Sequence, residues 1–253
     1  MARFKVGVQI HPQRASIDEL RAAWKEAEAL GVDSLWTWDH FFPLRGGTEG
    51  AHFEGWSLLA AMACDTERAR FGMLVTCNSY RNPELLADMA RTIDHLSGGR
   101  MILGIGAGWF ERDYDEYGYE FGTAGTRLSA LEESLARIKE RLAKLDPPPL
   151  GDMPILIGGG GEKVTLRLVA QHADIWNGGG SAEVIAHKNE VLDGWCSKVG
   201  RDPNAIERSV IVNDVAGFDL DAMLGAGAQH VILGRGSPFD FAPVKELVQA
   251  ARH

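Results

Sequence analysis

The sequence predicts an α/β fold, a (β/α)8 barrel, as a single domain over residues 1–253. Three observations lead to it. Apolar strand-like runs alternate with helical segments eight times, the connections are mostly short, and no shift in composition divides the chain. Alternating βα units imply a parallel sheet covered by helices. Eight such units in about 250 residues fit a closed barrel better than an open sheet.

The first strand is Phe4–Ile10, and His11-Pro-Gln follows as a loop. Ser16 with Glu19 three residues on is a capping box that opens a helix running to Leu30, and Gly31 stops it. The second strand, Asp33–Trp38, ends in Asp39 and His40, and a helix over Gly55–Cys64 comes next. Phe71–Cys77 is the third strand. Asn82-Pro83 then starts a helix that reaches Leu96, with Pro in its first turn. Met101–Gly106 is the fourth strand, followed by an aromatic and acidic loop from Trp109 to Gly125 and a helix over Thr126–Leu145.

After Pro147–Pro149 the unit recurs as strand Met153–Ile157, the glycine loop Gly158–Gly161 and helix Lys163–His172. Asp174–Asn177 and Ser209–Asn213 are the sixth and seventh strands, with helices Ala182–Val199 and Leu220–Leu224 behind them. Gln229–Gly234 and the helix Val244–Ala251 close the set. The proline run is a loop within the fold, since either half alone would expose a sheet edge.

A net charge of −9 without a Lys/Arg run argues against general binding of nucleic acid or anionic membranes. Cys64, Cys77 and Cys196 are an odd number, widely spaced, and without CxxC, so neither a disulfide framework nor a zinc ribbon is expected. Cys64 and Cys196 are expected to pack. No apolar run is long enough to span a bilayer, and the N-terminus leads directly into a strand without a signal peptide, so a reduced cytoplasmic location is expected.

In such a barrel the chemistry lies at the C-terminal ends of the strands. Those ends carry Gln9 and His11, Asp39 and His40, Thr76 to Asn78, Gly106 to Trp109, Gly158 to Lys163, Trp176 to Gly180, and Gly234 to Gly236. The glycines after strands four and five let backbone approach a ligand closely, and the second cluster leads into a helix whose free N–H groups favour a phosphate. Lys163 can add charge there. The competing reading of these glycines is tight turns alone. Asp39 and His40 have a bland reading too, as a loop cap and a histidine satisfied by a carbonyl. Cys77 could be a nucleophile or a buried structural thiol.

Gly104 to Gly108 is GxGxG without a following amphipathic helix or a ribose-binding acid, so a dinucleotide site is not expected. No HxH, HExxH or GxSxG occurs, which weighs against a metal site and against serine acyl transfer.

Leu35-Trp-Thr-Trp-Asp-His40, Tyr80-Arg-Asn-Pro83, Leu96-Ser-Gly-Gly-Arg-Met-Ile-Leu-Gly-Ile-Gly-Ala-Gly-Trp109 and Pro154-Ile-Leu-Ile-Gly-Gly-Gly-Gly-Glu-Lys163 resemble the bacterial-luciferase-like superfamily. They are most similar to its hydride transferases that use the deazaflavin coenzyme F420. The resemblance implies an oxidoreductase whose ring cofactor lies in the barrel mouth, backed by a non-proline cis peptide at Leu74–Val75. It implies cofactor contacts at Asp39, Cys77, Gly106, Ala107 and Gly108, and a phosphate site at Gly159, Gly160, Gly161, Glu162 and Lys163. His40 matches the proton-handling position, with Asp39 orienting ring or imidazole, and Trp38 and Trp109 face the substrate. Trp109 stands where sugar-phosphate dehydrogenase relatives have a catalytic glutamate, which points to a flatter, apolar substrate. Asp146–Gly151 is shorter than in relatives, implying a more open mouth.

Arg45, Arg81 and Arg112 are candidates for the coenzyme's polyglutamate tail, and a homodimer is implied. The alternatives are an FMN-dependent monooxygenase of the same superfamily and a non-catalytic cofactor-binding protein.

Overall fold

The computed structural model describes residues 2–47 and 49–252. Among these residues, nine parallel strands form a closed barrel: β1 (Lys5–Ile10), β2 (Ser34–Thr37), β3 (Arg70–Met73), β4 (Thr76–Cys77), β5 (Met101–Gly106), β6 (Ile155–Gly158), β7 (Ile175–Gly178), β8 (Glu207–Val212) and β9 (His230–Arg235). β1 pairs with β2 on one side and β9 on the other. Closure comes from β3 and β4, which both pair with β5, at Phe71↔Met101 and Thr76↔Ile105. They are two pieces of the predicted third strand, interrupted at a cis peptide between Leu74 and Val75. The barrel therefore has the eight strand positions that the alternation predicts.

Around it lie α1 (Ile17–Leu30), α2 (Gly55–Asp65), α3 (Pro83–Ser97), α4 (Glu111–Tyr117), α5 (Ala124–Leu142), α6 (Thr165–His172), α7 (Ala182–Val199), α8 (Leu220–Gly225) and α9 (Ala242–Arg252). Local chemistry sets their ends. Ser16 and Glu19 make both bonds of the capping box on α1, and Gly31 leaves that helix in the left-handed region at φ 90°. Asn82 caps α3 through the Leu85 amide, with Pro83 in its first turn.

The core has two layers. A small inner cluster of Trp36, Leu74, Ile102, Leu156, Ile175 and Ile232 plugs the barrel. A larger cluster fills the space between strands and helices. One glycine on β5 is dictated by the strand break: a Cβ on Gly104 would come within 1.9 Å of the Met73 carbonyl oxygen.

Four expectations need correction. The segment from Trp109 to Gly125 contains α4, a helix of seven residues, too short to show a period, with Glu111 and Asp113 in its favourable first turn. α5 starts at Ala124, because Thr123 caps it by accepting from the Thr126 amide, and it ends at Leu142. α6 begins at Thr165, so Glu162 and Lys163 lie in a preceding turn. Cys64 is exposed on α2; Cys196 packs as expected.

Candidate active site

At the C-terminal end of the barrel lies a cavity of about 440 Å³, the size range of small-molecule sites. Its floor is backbone and small side chains: Leu74, Val75, Gly106, Ala107, Gly108 and Gly158. Val75 follows the cis bond and is seated over two glycines. A Cβ on Gly106 would meet its Cγ2 at 2.8 Å, and one on Gly158 its Cγ1 at 2.9 Å. Gln9, buried on β1, donates from Nε2 to the Leu74 carbonyl at 2.8 Å and holds the bulge from behind.

One wall is aromatic. Trp38 stacks on His11 with centroids 4.4 Å apart and donates from Nε1 to His52 Nε2 at 2.9 Å. Burial holds the His52 imidazole down at about 4, the nearby His40 adding to the shift, so His52 is a neutral acceptor. His40 stands edge-on to Trp38, Trp109 and Phe110. Trp109 is 64% exposed at the rim of the cavity.

The acid paired with His40 is Asp113, at the start of α4, with Nδ1 to Oδ2 at 2.6 Å. Asp113 is wholly buried and also accepts from the Phe41 amide at 3.0 Å and the Tyr80 hydroxyl at 3.0 Å. With Nδ1 tied down, Nε2 is the nitrogen of His40 free to act, and His40 lines the cavity.

Asp39 faces away from the cavity into a separate ion pair. Arg81 donates to both of its oxygens, at 2.6 and 2.8 Å, and the Cys77 amide adds a third bond at 2.9 Å. Burial pushes the Asp39 carboxyl up, while Arg81 and the Cys77 amide pull it down. Burial also works against the Arg81 charge, but Asp39 outweighs it and that pKa rises. Three N–H donors converging on one carboxylate favour its ionised form, so we take the pair as charged.

The expected residues therefore separate. Trp38, His40, Leu74, Val75, Gly106, Ala107, Gly108, Trp109 and Gly159 line one cavity. Asp39 and Cys77 lie behind it. The Cys77 thiol is 3.1 Å from the Tyr114 hydroxyl, and burial raises its pKa, which removes the nucleophile reading. Gly160, Gly161, Glu162 and Lys163 are exposed beyond the rim, and Glu162 is ion-paired with Lys188 and His187 of α7. α6 starts at Thr165, which lines the cavity, and its N-cap Val164 makes no side-chain cap bond. Of the three arginines expected at a tail, Arg81 is committed to Asp39 and Glu54, and Arg112 to Glu49 and Glu116. Arg45 is at the cavity rim.

Sequence reading missed Asp113, Ile211 and Asn213. Ile211 and Asn213 sit at the end of β8 and line the cavity, so the strand-end rule could have found them. Asp113 carries no such signal, because the seven residues of α4 are too few to show a helical period.

A parallel barrel with a glycine-floored, aromatic-walled mouth and an imidazole–acid pair at its edge belongs to the class of (β/α)8 proteins with a small-molecule cavity at the strand ends. Within that class the assignment is specific: residues 1–224 match the model of the luciferase-like monooxygenase family, and the chain belongs to this family. It is 34% identical over 139 residues to an F420-dependent glucose-6-phosphate dehydrogenase of Amycolatopsis mediterranei, a match covering 54% of this chain and 41% of the dehydrogenase. It is 31% identical over 264 residues to a phthiodiolone/phenolphthiodiolone dimycocerosates ketoreductase of a Mycobacterium species, covering 87% of this chain and 68% of the ketoreductase. The chain thus spans about two fifths of the first relative's length and two thirds of the second's. Among solved structures, an F420-dependent secondary alcohol dehydrogenase shares the fold with a TM-score of 0.85 over 99% of both chains, at 17% identity.

Proposed function

We propose that the protein is an F420-dependent oxidoreductase that moves a hydride between the deazaflavin ring and a small organic substrate. The observation that carries this reading is the His40–Asp113 pair standing at the edge of a cavity floored by the Leu74–Val75 bulge and glycines. The residues present fit the coenzyme. Gly106 and Gly158 give the Val75 side chain space to sit low in the floor, so that a flat ring can lie over it. The uncapped start of α6, behind Gly159 to Gly161, leaves first-turn amides for a phosphate. The F420-dependent relative and the F420-dependent structural neighbour lend further support.

When bound, F420 supplies or accepts the hydride. The chain's own groups do the rest. Trp38 and Trp109, on one wall with His40, offer a flat apolar surface to a substrate and keep water from that side. His40 delivers or takes a proton at Nε2, because Asp113 fixes Nδ1. Asp39 has a positioning role: through the Cys77 amide and Arg81 it anchors β4 directly behind the bulge.

Fluorescence titration with F420 and with FMN tests the assignment. F420 is expected to bind and FMN to bind more weakly. Tight FMN binding with no F420 binding overturns it in favour of the flavin monooxygenase reading. A panel of ketones, alcohols and enones in which nothing turns over with bound F420 would favour a carrier instead. On a substrate so identified, His40→Ala should lower turnover by about 100-fold with F420 affinity kept.

A further inference from the structure

A second cavity, of about 450 Å³, adjoins the first at the ends of β1 and β9 and shares Arg45 and Asn213 with it. Its wall includes His11, Arg45 and Arg235. Arg235 donates from Nη1 to the Gly234 carbonyl at 2.7 Å, but its Nε and Nη2 are buried and have no acceptor among the described residues. His11 Nε2 is likewise buried without a partner. Buried N–H groups left unspent cost free energy, and two on one cation point to an acceptor that belongs there.

The charges are only partly compensated: burial lowers the Arg235 pKa and Asp240 works against that fall without cancelling it. Burial, then Arg45 and Arg235, hold His11 down at about 3, so the imidazole stays neutral beside two cations. Asp240 is the acid on this wall, and one of its oxygens is engaged by the Ala242 amide at the start of α9. Arg14, also on the wall, is spent on the carbonyls of Arg45, Gly46, Gly47 and Glu49. Gly234 and Gly236 keep the space beside the His11 ring open: a Cβ on either would come within 3.0 and 3.2 Å of it.

We propose that Arg235, Arg45 and His11 form a subsite for an anionic substituent, a carboxylate or phosphate, on the substrate. This rests on the F420 reading, and topology supplies the reason for choosing substrate over coenzyme. Around the barrel, β9 and β1 lie across the mouth from β6, where the glycine loop and α6 offer the phosphate site. A ring anchored at β6 leaves the opposite cation wall to the molecule lying along the aromatic wall of Trp38, His40 and Trp109. The substrate is therefore a flat apolar body carrying an anion at one end.

Calorimetric titration with benzoate and its neutral isostere benzamide tests this, with F420 affinity measured in parallel. Benzoate should bind more tightly than benzamide. Arg235→Gln should weaken benzoate by about tenfold or more, leave benzamide alone and keep F420 affinity within about twofold. Arg235→Lys should recover part of the loss, which separates lost charge from misfolding. Equal binding of benzoate and benzamide overturns the subsite, as does benzoate binding indifferent to Arg235→Gln. If Arg235→Gln instead weakens F420 but not a tail-free deazaflavin nucleoside, the site is the coenzyme tail's and the proposal fails. Benzoate binding that depends on Arg235 in a protein that does not bind F420 would keep the anion site and reject the F420 reading alone.

Discussion

Asp39 and Asp113 are both buried acids beside the mouth, and their partners decide what each can do. Asp39 meets a guanidinium in a bidentate pair, so its removal strands a buried cation. Asp39→Asn should cost about 3–5 kcal/mol in urea unfolding, less to the extent that Glu54, 3.2 Å from Arg81, compensates. A loss below about 1 kcal/mol would show that the pair is not holding β4. Asp113 instead meets an imidazole, an amide and a phenol. Asp113→Asn should keep F420 binding but lower turnover by about 10- to 100-fold and shift the pH profile, since the imidazole loses its anionic partner. Tyr80→Phe removes one of the three bonds and should cost about 1 kcal/mol of stability with turnover nearly intact. Comparing pH–rate profiles of the two variants separates the proton path from simple packing.

The interrupted third strand is the element that makes the site. β3 and β4 contact the same neighbour, β5, and the two residues between them form the cavity floor. Gly106→Ala would drive a methyl group to 2.8 Å from Val75 Cγ2. Overpacking of this kind costs about 1–3 kcal/mol, and here it also raises the floor, so F420 affinity should fall by more than global stability does. Val75→Ala in the same background should restore part of that affinity; no restoration would mean that Gly106 serves something other than the bulge. Most of this was legible in the sequence. Apolar strands bounded by glycine gave the barrel, the strand-end rule gave His40 and the Gly106–Gly108 segment, and family likeness added Trp38 and placed the break at Leu74–Val75. Seven residues of α4 were not legible, because two turns show no period, and with α4 went Asp113. Proximity in sequence then suggested Asp39 as the partner of His40, whereas successive residues leaving a strand point to opposite sides.

Across the whole molecule, buried histidines set the response to acid. His11 and His52 are held at about 3 and about 4 against an ordinary 6.5, both chiefly by burial. A lowered imidazole pKa means that the unfolded chain takes up protons below about 6.5 that the folded chain refuses until much lower pH. Stability is therefore highest above 6.5 and falls as pH drops through the window from about 6.5 to about 3. Two carboxylates act in the same direction lower down. Arg21 holds Asp65 at about 2; burial opposes ionisation of Glu207, but His230 and Lys5 hold it at about 2 as well. Their contribution is present above the unfolded carboxylate values and is lost as pH falls toward 2. Acid destabilisation should thus begin in the histidine range, above the range in which Asp65 and Glu207 titrate. Urea unfolding at a series of pH values from 7 to 4.5 checks it, with His52→Gln as the diagnostic variant. Glutamine keeps an acceptor for the Trp38 indole N–H but cannot titrate. Its stability should decline less steeply with falling pH than that of the unaltered chain. Parallel slopes would show that His52 takes up its proton as readily in the folded barrel as in the unfolded chain, and that the aromatic wall is wetter than its packing indicates.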